Sequence, residues 1–89
     1  MIAVWKFPLN LGANSVMMPA DSEILSAAIQ GERPGQLCCW ARVVTTAPLQ
    51  LRRVLVRGTG AELDSFAFSR FVATVQDGDY VWHVFEARS

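Results

Sequence analysis

RFVATVQDGDYVWHVFE, residues 70–86, contains two runs of aromatic and β-branched residues separated by an Asp-Gly pair. An Asp-Gly pair between two such runs is typical of a two-residue hairpin turn, because glycine adopts positive φ at little steric cost. We therefore predict a strand over 70–76, a hairpin turn at Asp77-Gly78 and an antiparallel strand over 80–86.

Side chains alternate between two faces along each predicted strand, because successive residues of a strand point in opposite directions. This alternation decides which side chains enter a core and which face outward. The predicted faces are Phe71, Ala73 and Val75 against Val72, Thr74 and Gln76 in the first strand, and Tyr80, Trp82 and Val84 against Val81, His83 and Phe85 in the second.

The rest of the chain repeats this period of two between proline- and glycine-containing breaks. Proline cannot donate to a strand ladder, so Pro8 and Pro19 are expected to end strands. The segment 24–30 could open a short helix, but Gly31 stops it so early that a strand is favoured. Further strands are predicted over 2–7, 15–18, 24–30, 37–44 and 49–57, with a turn at 11–14 and room for one helical turn near 61–66.

Seven short strands in 89 residues predict an all-β fold in a single domain, residues 1–89. A small antiparallel β-sandwich and a small β-barrel both fit, because the two architectures present the same alternation. Residues 37–44 are apolar at nearly every position, so both faces of that strand should be covered. We expect the core on one face and a partner subunit on the other.

The composition favours self-association over charged partners. Apolar residues make up 52% of the chain and charged residues only 18%, against about 25% charged in typical domains. A domain of this size cannot bury so many apolar side chains, so we expect a homo-oligomer. The formal net charge is zero, which disfavours nucleic acid as a partner. No apolar run reaches the ~18 residues of a membrane helix, and without an export signal the expected location is the cytoplasm.

Cys38 and Cys39 are adjacent in a predicted strand. Neighbouring strand residues point to opposite faces, so a disulfide between them is not expected. The chain has one histidine, His83, and too few other candidate ligands near the cysteines for a metal site. We expect no metal and no cofactor, and interpret both cysteines as buried structural residues.

No catalytic motif is present, and no catalytic residue is predicted. The chain lacks a P-loop, a dinucleotide fingerprint, a GxSxG nucleophile turn and a zinc-protease motif. His83 lies inside an apolar strand, where a histidine usually hydrogen-bonds a neighbour or lines an interface. An enzyme using His83 is the lesser alternative, because it would need a nucleophile and an orienting acid beside the ring.

Arg57-Gly58-Thr59-Gly60 is a candidate ligand-binding segment. Glycines around a threonine allow backbone N–H groups to converge on an anion, and a neighbouring arginine can donate two hydrogen bonds to phosphate oxygens. Arg53 shares a strand face with Arg57 and joins the candidate set. The alternative is an ordinary turn beside a solvated arginine face.

Aromatic residues are numerous, with three tryptophans in 89 residues. Most are expected in the core, although tryptophan is also enriched at protein interfaces. The candidate interface residues are Trp40, Trp82, His83 and Phe85.

Several motifs resemble those of small phage- and prophage-encoded proteins of unknown function. The resemblance rests on residues 4–9 (VWKFPL), 18–20 (MPA), 37–41 (LCCWA), 56–60 (VRGTG), 74–76 (TVQ) and 81–86 (VWHVFE), and spans nearly the whole chain. It implies a non-catalytic protein of the host-cell cytoplasm that binds a host protein or nucleotide and so blocks a host-defence component. A structural protein of the virion or its assembly is the alternative.

Overall fold

Seven β-strands form two antiparallel sheets in the computed structural model, which describes residues 1–32, 34–63 and 70–87. The all-β prediction is confirmed, and the architecture is the sandwich rather than the barrel. Strand bounds follow the predicted runs to within a few residues. The strands are β1 (Ile2–Pro8), β2 (Gly12–Pro19), β3 (Glu23–Gln30), β4 (Gln36–Val44), β5 (Leu49–Gly58), β6 (Arg70–Asp77) and β7 (Tyr80–Glu86).

The three-stranded sheet has the order β1-β4-β3, and the four-stranded sheet has the order β2-β5-β7-β6. Strands β5 and β6 flank β7 and run antiparallel to it, so they are parallel to each other. Residues 61–63, which follow β5, contain no helical turn, and the rest of the segment predicted near 61–66 lies outside the described residues.

The core lies between the sheets and is built by alternate residues of the central strands. Cys39 and Ala41 of β4 face Val54 and Val56 of β5 across it, and all four side chains are buried. β4 is also covered on its outer face at Cys38, where Lys6 and Gln30 of the flanking strands hydrogen-bond across it at 2.6 Å. The buried cluster between the sheets consists of apolar side chains, as the alternation predicted.

The turn predicted at 11–14 is wrong, because β2 begins at Gly12 and pairs with β5 from there. Gly12 supplies a φ of +93°, and the Asn14 amide donates to the carbonyls of Asn10 and Gly12. Asn14 therefore makes the local hydrogen bonds typical of a turn residue although it lies within β2.

The hairpin between β6 and β7 turns one residue later than predicted. Asp77 pairs with Tyr80, which leaves Gly78 and Asp79 as the turn residues. Gly78 has a φ of +61°, as the first position of a type II′ turn requires. The Asp77-Gly78 pair correctly indicated a hairpin between β6 and β7. Asp77, however, is the last residue of β6 and not a turn residue.

A bulge in β6 between Phe71 and Ala73 overturns the predicted face of Phe71. The extra residue reverses the alternation, so Phe71 pairs with Phe85 on the outer face while Ala73 pairs with Val84 toward the core. Sequence alternation does not reveal such an inserted residue.

An ionic cluster joins the two sheets at one end of the sandwich. Glu86 accepts hydrogen bonds from the guanidinium groups of Arg52 and Arg70. Arg52 Nη1 also donates to the carbonyl of Ser22, and Arg70 Nη2 to that of Ile24, each at 2.7 Å. These contacts connect the four-stranded sheet to the start of β3.

No helix among the described residues has the length and hydropathy needed to cross a membrane.

Candidate functional site

The outer face of the four-stranded sheet carries a polar row of side chains beside an apolar row. Strand register aligns Arg57 of β5 with His83 of β7 and Thr74 of β6. The next row, two residues along each central strand, consists of Leu55, Phe85 and Phe71, with the two phenylalanine rings edge to face at 5.9 Å. A cation, an imidazole and a hydroxyl therefore lie next to an aromatic surface.

His83 is held between two threonine hydroxyls. Its Nε2 lies 2.8 Å from Oγ1 of Thr59, and its Nδ1 lies 3.3 Å from Oγ1 of Thr74. Each hydroxyl can donate or accept, so both ring tautomers satisfy the two contacts. The threonines therefore fix the position of the ring without fixing its proton.

An open hollow of about 190 Å³ lies at the Arg57 end of the polar row. Arg57, Thr59 and His83 form its polar lining, while Leu63 and Phe85 form an apolar wall. Ligand sites for drug-sized molecules are usually about 300–1,000 Å³. The hollow is therefore large enough for one small group of a ligand, with the remainder lying over the neighbouring surface. Its described lining is Arg57, Gly58, Thr59, Gly60, Ala61, Leu63, His83 and Phe85.

The two glycines of the 58–60 loop shape this hollow in different ways. A side chain at Gly58 would place its Cβ 3.3 Å from the Trp82 ring, so glycine allows β5 to approach that ring. Gly60 has a φ of +89°, which glycine adopts without strain. The Thr59 N–H donates to the Val81 carbonyl at 3.3 Å, so the loop offers the hollow its Thr59 hydroxyl rather than that amide.

Most of the predicted ligand-binding segment lines the hollow, but Arg53 does not. Arg57, Gly58, Thr59 and Gly60 all contribute to its wall. Arg53 lies on the same face of β5, opposite Ser15 of β2, and is exposed.

The four candidate interface residues lie on three different surfaces. His83 and Phe85 line the hollow. Trp82 lies on the inner side of β7, stacked on Tyr80 with ring centroids 5.8 Å apart. Trp40 lies on the outer face of the three-stranded sheet, opposite Lys6. The structure thus groups His83 with Phe85 and places Trp82 and Trp40 elsewhere.

Thr74 was missed by sequence reasoning because the hairpin turn was placed one residue too early. A turn at Asp77-Gly78 would bring Val72, rather than Thr74, opposite His83. Once Gly78-Asp79 is the turn, antiparallel pairing places Thr74 beside the imidazole. Leu63 had no sequence signal, because it follows the loop in a segment without periodicity.

Both cysteines are free and buried, as expected. Burial, with a smaller contribution from the neighbouring Cys38, raises the pKa of the Cys39 thiol to about 11. A thiol with that pKa is protonated at neutral pH and is a poor nucleophile and metal ligand. Within the described residues, no group of histidine, cysteine and carboxylate side chains is arranged to hold a metal ion.

A family model described as Domain of unknown function (DUF7352) matches residues 1–89. No curated protein and no solved structure matches the chain.

Proposed function

The chain belongs to the DUF7352 family, and we propose that it is a non-catalytic, homo-oligomeric binding protein that captures a phosphorylated small molecule. The observation that carries the proposal is the convergence of Arg57, Thr59 and His83 on one hollow. The sequence motifs resemble those of phage-encoded proteins. In an infected host cell, the ligand of such a protein would be a signalling nucleotide of host defence. Its sequestration in the host cytoplasm would block the signal.

The chemistry of the hollow suits a phosphoryl group. The Arg57 guanidinium can donate two parallel hydrogen bonds to phosphate oxygens, and the Thr59 hydroxyl can donate a third. The described hydrogen bond of Arg57 goes only to the adjacent Val56 carbonyl at 3.3 Å, a contact that ligand binding can replace. The volume of about 190 Å³ accommodates a phosphate but not a whole nucleotide.

The apolar row next to the hollow suits the remaining part of such a ligand. Phe85 forms part of the hollow wall, and Phe71, 55% exposed, extends the surface away from it. A nucleobase can stack on aromatic side chains while its phosphate stays beside arginine. The Arg57 hollow and the neighbouring phenylalanines therefore suit the two ends of a nucleotide.

Binding without catalysis is favoured by the contacts of His83. A histidine base normally has a nucleophile on one ring nitrogen and a carboxylate on the other, which stabilises the imidazolium. Among the contacts described for this ring, a threonine hydroxyl occupies each side. The lesser alternative, a small enzyme, would use Thr59 and His83, and turnover that His83→Ala abolishes would establish it.

A structural role in a virion or its assembly is the second candidate. Exposed apolar side chains on the outer face of the four-stranded sheet favour it, among them Met17 and Leu51 at 51% and 47% exposure. Presence of the protein in purified particles would support this role over ligand capture.

Calorimetry on the purified chain tests the proposed function. The ligands are linear and cyclic nucleotides, with the parent nucleosides and inorganic phosphate as comparisons. We expect nucleotide binding that Arg57→Ala weakens at least ~10-fold, because it removes a charge-assisted pair of hydrogen bonds. Arg53→Ala is the matched control and should bind normally, since Arg53 shares the strand and face but lies outside the hollow. Absence of binding to every nucleotide, or equal losses in both variants, would refute the proposal.

A further inference from the structure

Two sheets of this order have four edge strands, and the side formed by β3 and β6 is closed. Each of these strands carries a bulge, between Ile24 and Ser26 in β3 and between Phe71 and Ala73 in β6. The two strands pack against each other, and Arg70 of β6 donates to the Ile24 carbonyl of β3. Bulges and covered edges are devices that prevent further strand pairing.

On the opposite side, no described strand pairs with the outer edge of β1 or of β2, but these two strands differ. The inner face of β2 is well covered, with Met18 fully buried, and Asn14 donates its amide to backbone carbonyls. β1 pairs with β4 in regular register over Ile2–Pro8 and has no bulge. The burial pattern of β1 contains no buried residue.

The exposed side chains of β1 point to both faces of the sheet. Ile2 and Val4 lie on the outer face and are 69% and 57% exposed. Trp5 lies on the inner face and is still 39% exposed. A partner placed on one face would cover one set only. A strand added alongside β1 places cross-strand neighbours next to both sets and pairs the free backbone groups of the edge.

We infer that β1 is a self-association edge, at which a second copy of the chain adds its own β1 in antiparallel pairing. The inference specifies β1 as the interface of the homo-oligomer in the proposed function. It does not depend on the ligand hollow. The resulting sheet runs β3-β4-β1 and then β1-β4-β3 of the second copy, with two-fold symmetry. The hollow lies on the outer face of the other sheet and remains open.

We assign a second copy of the chain as the partner because two antiparallel β1 strands can pair without placing like charges opposite each other. With the two-fold axis at Val4, Ile2 lies opposite Lys6 and Ala3 opposite Trp5, while Pro8, which cannot donate, falls outside the pair. Lys6 is the one charged residue of β1. In this register the two Lys6 positions lie ~13 Å apart along the strands, beyond the screening length of about 8 Å in physiological salt.

Sedimentation velocity and light scattering on the full chain test this inference. The wild type should be a dimer. Val4→Lys places like charges opposite each other at the axis and should weaken the dimer at least ~10-fold without unfolding the chain, because Val4 is exposed. Met17→Lys is the matched control, as it introduces the same charge at a 51% exposed position of the other open edge strand. It should remain dimeric.

A charge-swap mixture shows whether the two β1 strands meet. Val4→Glu alone should also be monomeric, and an equimolar mixture with Val4→Lys should form a heterodimer through the new ion pair. A monomeric wild type, or a Val4→Lys variant as dimeric as wild type, would overturn the inference. The ligand result is separate, because Val4→Lys should retain nucleotide binding and Arg57→Ala should retain the dimer.

Discussion

Arg52 and Arg57 both lie on β5 but have different environments, with Arg52 paired to Val16 of β2 and Arg57 to His83 of β7. Arg52 points to the inner side, where its side chain is 19% exposed and contacts Glu86 and the Ser22 carbonyl. Arg57 points to the outer face, where its described hydrogen bond goes to the adjacent Val56 carbonyl. Even-numbered residues of β5 point inward and odd-numbered residues point outward, so Arg52 joins the two sheets while Arg57 faces the hollow.

The largest expected effect comes from breaking the inner-side contact. Arg52→Ala removes the shorter of the two described ion pairs of Glu86, whose side chain is only 13% exposed. Removing one partner of a largely buried ion pair costs about 3 kcal/mol, so we expect a loss of that size in the free energy of unfolding. Urea denaturation measures it.

Arg57→Ala is the paired control for Arg52→Ala and should change stability by less than about 0.5 kcal/mol. If the two substitutions destabilise the chain equally, the division between the inner and the outer arginine is wrong.

The second effect concerns the inner face of β4. The pKa of Cys39 rises from its ordinary 9.0 to about 11 in the folded chain because of burial. Between these values the unfolded chain loses the thiol proton and the folded chain keeps it. Stability should therefore be unaffected by this group below pH 9 and fall as the pH rises toward 11, by up to about 1.4 kcal/mol per pH unit.

The pH dependence is measured by urea unfolding at a series of pH values. Cys39→Ala supplies the control, because it removes the titrating thiol and should flatten the corresponding part of the slope. An equal slope in the variant would mean that Cys39 ionises alike in both states.

The smallest expected effect is that of Thr74→Val on the outer face of the four-stranded sheet. Thr74→Val removes the hydroxyl from Nδ1 of His83 while keeping the side-chain shape. Because Thr74 is exposed, stability should change by less than about 0.5 kcal/mol. Nucleotide affinity should fall by roughly 2- to 5-fold, since the ring loses one of its two supports.

Nuclear magnetic resonance of the imidazole nitrogens measures the Thr74→Val effect directly. The Nδ1 signal of His83 should shift in the variant, and calorimetry should show the weaker binding. An unmoved Nδ1 signal would show that Thr74 does not contact the ring in solution.

Much of the fold was predictable because period-two alternation directly reflects which side chains enter a core. β7 was predicted with its observed bounds and faces, and β4 and β5 to within one residue at each end. The errors occur where a single residue changes the register. The bulge before Ala73 and the shifted turn at Gly78 each leave the hydrophobic pattern nearly unchanged. They still alter which side chains meet.

Of the residues lining the hollow, the sequence assigned a ligand-binding role only to the contiguous segment, while His83 and Phe85 were candidate interface residues. Arg57 to Gly60 were identified together because one short segment contained both the cation and the glycines. Thr74 depended on the exact pairing of β6 with β7, and Leu63 on the path of the chain after β5.

By itself, the sequence determined the strand class, the alternation of core and surface, and the presence of arginine beside a glycine-rich loop. These properties depend on residues close along the chain. Only the tertiary structure decided that Arg52 joins the sheets while Arg57 faces the hollow, and that His83 sits between two threonines. It also left β1 at the edge of its sheet, paired among the described strands with β4 alone. Such relations depend on register and sheet order, which bring together residues far apart in sequence through long-range pairing that no local pattern encodes.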